Sequence, residues 1–170
     1  LRPRHAYAFG WIHQWARLAG AAPTLVNTAL HAPGIGALGG FLAGLASERR
    51  PPAFAPERFT RWFRRRGPAE MGTPVVLWAD TFNNCFHPET ARAAVEVLER
   101  AGFQVSVPRG DLCCGRPLYD YGFLRQARRR LLGVLQALGP ALRAGTPIVV
   151  LEPSCASVFR DELPNLLPRH

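Results

Sequence analysis

Hydrophobic and polar positions along this chain change rhythm near Gly67-Pro68. Before that point the sequence is rich in alanine, glycine and proline, with turns marked by Pro23, Pro33, Pro51-Pro52 and Pro56. Ala6 to Leu18 carries Phe9, Ile12, Trp15 and Ala16 on or near one face at helical spacing, which predicts a helix. Leu18 to Ser47 has no charged side chain, but Pro23, Asn27, His31 and Pro33 interrupt it before about 20 apolar residues accumulate. Short helices packed on the rest of the chain, or on a missing neighbour, are therefore expected in place of a membrane span. Phe54, Phe59, Trp62 and Phe63 suit a segment that docks by its rings while its arginines stay wet. His5, His13 and His31 have no ligand-like spacing and read as surface or packing residues.

After Gly67-Pro68 the pattern alternates between strand and helix. Pro74 to Ala79 is a continuous apolar run of buried-strand length, and Pro88 to Ala101 follows as an amphipathic helix. Pro88 suits the first helical turn, Glu89 its positive end, Glu96 and Arg100 pair at i,i+4, and Gly102 stops it. Ala91, Ala94, Val95, Leu98 and Ala101 give its buried face. Phe103 to Val107 is the next strand, and the loop Arg109 to Pro117 follows Pro108. A long helix is predicted from Asp120 or Tyr121 to about Leu138, with Leu124, Ala127, Leu131, Leu135 and Leu138 facing in and Gly139-Pro140 breaking it. Ile148 to Leu151 is a third buried strand, and Cys155 begins the loop or helix after it. The fold class is α/β: a small three-stranded parallel Rossmann-like β-α-β-α-β unit, residues 69–170, preceded by a helical connector, residues 1–68. Right-handed crossovers bring the strand carboxyl ends to one edge, so Asp80 to Phe86, Cys113 to Arg116 and Glu152 to Ser157 should gather there.

Composition narrows the class. The 170 residues are 48% hydrophobic, enough for a packed core and against disorder. Four cysteines are too sparse for a disulfide scaffold, and no secretory pattern opens the sequence, so a reducing, cytoplasmic setting is expected. The net charge is +9, and all 21 basic residues are arginine. The densest run, Arg61 to Arg66, has no nucleic-acid reading motif around it and reads as a solvated helix end; peripheral contact with an anionic membrane face stays open.

Three of the four cysteines lie on the predicted edge: Cys113 and Cys114 beside Gly115, and Cys155 after Glu152-Pro153-Ser154. Adjacent cysteines are poor disulfide partners, because neighbouring Cα atoms sit about 3.8 Å apart where a disulfide prefers about 5.5–6 Å. Thiolates are the usual ligands of iron–sulfur clusters, and a glycine beside them lets backbone approach an inorganic centre. Buried packing is the plainer reading of any one cysteine, but three thiols on one edge are hard to ascribe to packing. Zinc prefers C-x-x-C spacing and four tetrahedral ligands, and only His87 stands near a cysteine. Thioredoxin-like chemistry also needs C-x-x-C. No residue reads as a general base or nucleophile, so no catalytic residue is assigned.

Asp80-Thr81-Phe82-Asn83-Asn84 with Pro88-Glu89, Cys113-Cys114-Gly115-Arg116-Pro117-Leu118, and Glu152-Pro153-Ser154-Cys155 together resemble one repeat of the cysteine-rich CCG domain. That domain occurs in iron–sulfur subunits of glycolate and lactate oxidation systems, in anaerobic glycerol-3-phosphate dehydrogenase and in the cysteine-rich subunit of heterodisulfide reductase. The wording is most similar to the carboxyl-terminal region of FAD-linked oxidases that carry their own iron–sulfur domain, and residues 2–66 resemble the connector there. The resemblance implies an iron–sulfur cluster of the 4Fe-4S type with Cys113, Cys114 and Cys155 as metal ligands. Gly115 gives close backbone approach, and Arg116 adds charge beside the cluster. It further implies a parent oxidoreductase in which FAD, not bound by this chain, takes hydride from a 2-hydroxy acid and electrons pass toward a quinone or other carrier. The partners implied are FAD-containing and ferredoxin-like domains or subunits and a second CCG repeat, with no nucleic acid.

The chain departs from that pattern in three ways. It holds one repeat where the family has two, and it has neither a C-x-x-C-x-x-C run nor a flavin-binding domain; a piece of a larger protein is expected. The first ligand position of the family aligns with Thr81 or its neighbour, and Cys85, four residues on, reads better as a packing residue than as a replacement ligand. Cys155 is followed by Ala156, Ser157 and Val158 in place of a second cysteine. Three thiolates are one fewer than an ordinary cluster uses. Cys85, a non-cysteine group or the missing repeat must complete the set, or the domain keeps its fold as a cluster-free structural or interaction module.

Overall fold

The computed structural model describes residues 2–46, 51–110 and 112–168. Ser47, which closes the uncharged stretch, Asp111 in the cysteine loop, and the terminal Arg169 and His170 lie outside the described residues. The connector holds α1 (Arg4–Gly10), α2 (Ile12–Ala19), α3 (Pro23–His31), α4 (Ile35–Ala43) and α5 (Phe59–Arg66). Then come β1 (Thr73–Trp78), α6 (Thr81–Cys85), α7 (Pro88–Arg100), β2 (Phe103–Ser106), α8 (Arg116–Asp120), α9 (Leu124–Arg143), β3 (Ile148–Val150), α10 (Pro153–Arg160) and α11 (Glu162–Leu166).

The three strands form one parallel sheet in the order β2-β1-β3, with Val75 opposite Val105 and Leu77 opposite Val149. The α/β class and parallel sheet expected from the apolar runs are therefore present. Alternation along β1 sends successive side chains to opposite faces. Val75 and Leu77 pack with Val105, Ala91 and Val95 of α7, and with Phe59 and Phe63 of α5. Val76 and Trp78 pack with Leu131, Val134 and Leu138 of α9 and with Val158 and Leu167. Burial on both faces explains why β1 reads as an unbroken apolar run. With β1 central and its neighbours reached in opposite directions, the strand order switches beside β1, and its carboxyl end opens onto the crevice where open α/β sheets place their sites.

Three expectations change. The single helix over Ala6 to Leu18 is two helices, broken at Trp11, whose ring packs edge-on against Phe123 at 5.9 Å. The buried stripe is made of Ala6, Gly10, His13, Ala16 and Ala19, whereas Phe9 and Trp15 are exposed. Small residues win that face because α1 and α2 approach the body closely; a Cβ on Gly10 would lie 3.0 Å from the Phe123 ring. The long helix begins at Leu124, after Gly122 turns at φ +73°, and Leu124 is itself exposed. It runs through Gly139-Pro140 to Arg143. A residue before proline resists helical geometry through its Cβ, and Gly139 has none.

Helices α3 and α4 bury no residue, and Leu25, Ile35, Leu38, Phe41 and Leu42 stand exposed on them. That matches short helices awaiting a neighbour. Among the described residues no helix is long and apolar enough to cross a membrane.

Candidate metal centre

The turn after β1 begins with Asp80, which is buried. Its Oδ1 accepts the backbone N–H groups of Phe82 (2.9 Å) and Asn83 (3.0 Å), and Oδ2 accepts from the Asn83 side chain at 2.7 Å. This cap satisfies the orphan donors of α6 and fixes Thr81 as its first residue. The loop after β2 brings Cys113 to the same place: Thr81 Oγ1 donates to Cys113 Sγ at 3.7 Å, and the Gly115 N–H donates to the same sulfur at 3.4 Å. Gly115 turns the chain at φ +81° and ψ 5°, a left-handed conformation that favours glycine, and starts α8. The loop after β3 supplies Cys155 in the first turn of α10, where the helix dipole favours an anion. Its thiol donates to Cys114 Sγ at 2.8 Å.

The three edge cysteines thus come together as expected, all buried at 4–5% exposure and none in a disulfide. Cys85 does not join them: it packs among Ala16, Ala19, Phe54 and Phe86. His87 is exposed and meets Glu89 at 3.2 Å, facing away from a zinc-like arrangement. Arg116 pairs with Asp120 at 3.0 Å and with Glu162 at 2.5 Å, so carboxylates already compensate its charge. His13, whose spacing alone marks it as ordinary, is buried, and its Nδ1 lies 3.0 Å from Thr81 Oγ1. A groove of about 880 Å³ opens beside this point, with His13, Arg17, Arg58, Arg64, Arg109 and Trp78 among its walls.

Both loop thiols resist ionisation. The hydrogen bond with Cys114, then burial, push Cys113 well up, against the downward pull of the Gly115 N–H and Thr81 hydroxyl. At Cys114 the bond with Cys113 acts downward, but contact with Cys155 and burial outweigh it and leave the thiol raised. In the unfolded chain these groups ionise near about pH 8.5. Because the folded pKa values are the higher ones, the metal-free fold keeps this contribution below that pH and loses it above, by up to about 1.4 kcal/mol per pH unit for each thiol. Urea midpoints under reductant should fall between pH 8 and 10, and less steeply in Cys114→Ser. Equal slopes in the two proteins would show that these thiols do not set the dependence.

The donor set suits an iron–sulfur cluster in kind. Three buried thiols share one edge, backbone N–H groups of Gly115 and Arg116 act on Cys113 and Cys114, and the buried Trp78 Nε1 has no hydrogen-bond partner among the described residues. Trp78 packs in the same cluster as Cys114 and Cys155. An orphan indole N–H in a core costs about 1–3 kcal/mol, and a sulfide or thiolate would satisfy it. In arrangement the sulfurs are closed on one another. Among the described residues no three His, Cys, Asp or Glu side chains are placed to hold a metal ion, so loading requires the thiols to part.

Residues 79–160 match the family model of the cysteine-rich domain CCG, which bears out the resemblance carried by the motifs. The C-type chain of the anaerobic glycerol-3-phosphate dehydrogenase of Escherichia coli K12 is 27% identical over 146 residues, covering 84% of this chain and 37% of that protein. Lactate utilization protein A of Bacillus velezensis is 34% identical over 92 residues, 54% of this chain and 37% of the relative. The Bacillus subtilis protein of the same name is 30% identical over a match of the same length. The matched region therefore spans little more than a third of these relatives. No solved structure matches the chain with significance.

Proposed function

Residues 79–160 form a cysteine-rich domain of the CCG family, and from that premise we propose that this chain is an iron–sulfur electron-transfer module of an oxidoreductase. Its similarity to a dehydrogenase subunit and to lactate utilization proteins supports the oxidoreductase context. The observation that carries the reading is the convergence of Cys113, Cys114 and Cys155 on the carboxyl edge of the sheet, with hydrogen-bond donors aimed at the sulfurs. When bound, a cluster of the 4Fe-4S type supplies one-electron storage and transfer. Cys113, Cys114 and Cys155 would ligate it, Gly115 would let the backbone approach, and Trp78 would offer its unpaired N–H. The finer reading is a parent system in which FAD, held elsewhere, oxidises a 2-hydroxy acid and electrons pass on toward a quinone, in the cytoplasm or on the inner membrane face. The uncovered apolar face of α3 and α4 supports attachment to a flavin-containing, ferredoxin-like or second cysteine-rich unit.

One observation favours a second reading. The sulfurs stand closed together with no metal-ready triad among the described residues, as in a domain that keeps the fold without the cluster. Stopped-flow mixing separates the two. The anaerobically reconstituted chain, reduced with dithionite and mixed with a water-soluble quinone, should recover its charge-transfer absorption as the quinone is reduced. A chain that loads iron but is not reoxidised contradicts electron transfer; a chain that loads none supports the cluster-free module.

A further inference from the structure

We infer that His13, from the connector, is a positioning residue that tunes the redox potential of the cysteine site through Thr81. The inference rests on the iron–sulfur reading above. Thr81 Oγ1 lies 3.0 Å from His13 Nδ1 and 3.7 Å from Cys113 Sγ. All three residues are buried, at 8%, 6% and 5% exposure for His13, Thr81 and Cys113. A hydroxyl has one proton to give. If it goes to the sulfur, the oxygen must accept, so the ring nitrogen facing it carries its own proton. The chain is then directional: His13 Nδ1–H donates to Thr81 Oγ1, whose O–H donates to Cys113 Sγ.

Two supports hold this geometry. Asp80 caps the turn that carries Thr81, and α2 seats His13 in its stripe of Ala16 and Ala19. Hydrogen bonds to a ligating sulfur stabilise the more negative, reduced state of a cluster and raise its potential. The Gly115 N–H gives Cys113 a second such bond, which comes from backbone and is available to any residue there. The Thr81 bond is different, since it depends on a particular side chain. His13 also lies outside residues 79–160, so the property is set from beyond the matched domain. Without His13 the Thr81 hydroxyl is free to turn from the sulfur, and without the hydroxyl His13 has no route to it. The two therefore act in series.

The test is a redox titration, followed by EPR, of the full chain reconstituted anaerobically with iron and sulfide. Thr81→Val should lower the midpoint by about 59 mV, a tenfold fall in the reduced-to-oxidised ratio for a one-electron couple at fixed ambient potential. Thr81→Ser, which keeps the hydroxyl, should restore most of it. His13→Leu should lower the midpoint in the wild-type background and have no further effect in Thr81→Val, because groups in series do not add. Midpoints of the loaded variants equal to wild type, or additive shifts, overturn the relay while leaving the iron–sulfur reading intact. Failure of the wild-type chain to load overturns that reading and the relay with it. A purely structural role would change cluster content without moving the midpoint of the loaded fraction.

Discussion

Serine in place of Cys114 or Cys155 should lower iron retained per chain at least about tenfold after anaerobic reconstitution and desalting, whereas Cys85→Ser should retain wild-type content. Altering groups that merely support a metal ligand costs about 10–100-fold in affinity, and these substitutions remove the ligands themselves. The contrast between sites comes from packing. Cys114 and Cys155 touch at 2.8 Å on the carboxyl edge of the sheet, while Cys85 sits among Ala16, Ala19, Phe54 and Phe86 in a separate cluster. Colorimetric iron determination on all three variants checks the result. Loss of iron in Cys85→Ser equal to that in Cys114→Ser would move the site toward α6 and contradict the assignment.

Trp78→Ala should destabilise the chain by about 3–5 kcal/mol, the usual cost of deleting a large aromatic from a core. Trp78 is 1% exposed at the end of the central strand and meets Phe159 edge-on at 5.1 Å. It also packs with Cys114 and Cys155, so the cavity would open under the thiols. Against a total of about 5–15 kcal/mol for an ordinary domain, the loss is a large fraction. Trp78→Phe removes the unpaired N–H along with part of the ring, so its cost should be well below that of Trp78→Ala. Urea unfolding of both variants measures the difference. Equal losses would mean that the orphan N–H carries no penalty in the metal-free fold.

Where local pattern and tertiary demand coincide, the sequence already shows the fold. Val75 to Trp78 reads as a buried strand because both faces of β1 are covered, and the parallel order places Cys113, Cys114 and Cys155 on one edge. The connector is less legible. Hydrophobic weight picks out Phe9 and Trp15, but close approach to Phe123 selects the small stripe from Ala6 to Ala19. His13 escapes notice because its role is a contact with Thr81, 68 positions away, that no spacing announces. The available signal is a lone imidazole on a face otherwise made of alanine and glycine. Pro140 on its own predicts the end of α9, and only Gly139 before it lets the helix continue. The contacts among the sulfurs likewise depend on how three loops meet, which apolar periodicity does not specify.

Iron and acid-labile sulfide analysis of the full chain, purified and reconstituted without oxygen, tests most directly whether three thiols at this edge bind an iron–sulfur cluster. Iron and sulfide should be retained together through desalting, with a broad thiolate-to-iron absorption near ~400 nm. Zinc in place of iron, or iron that washes away without sulfide, would contradict cluster binding.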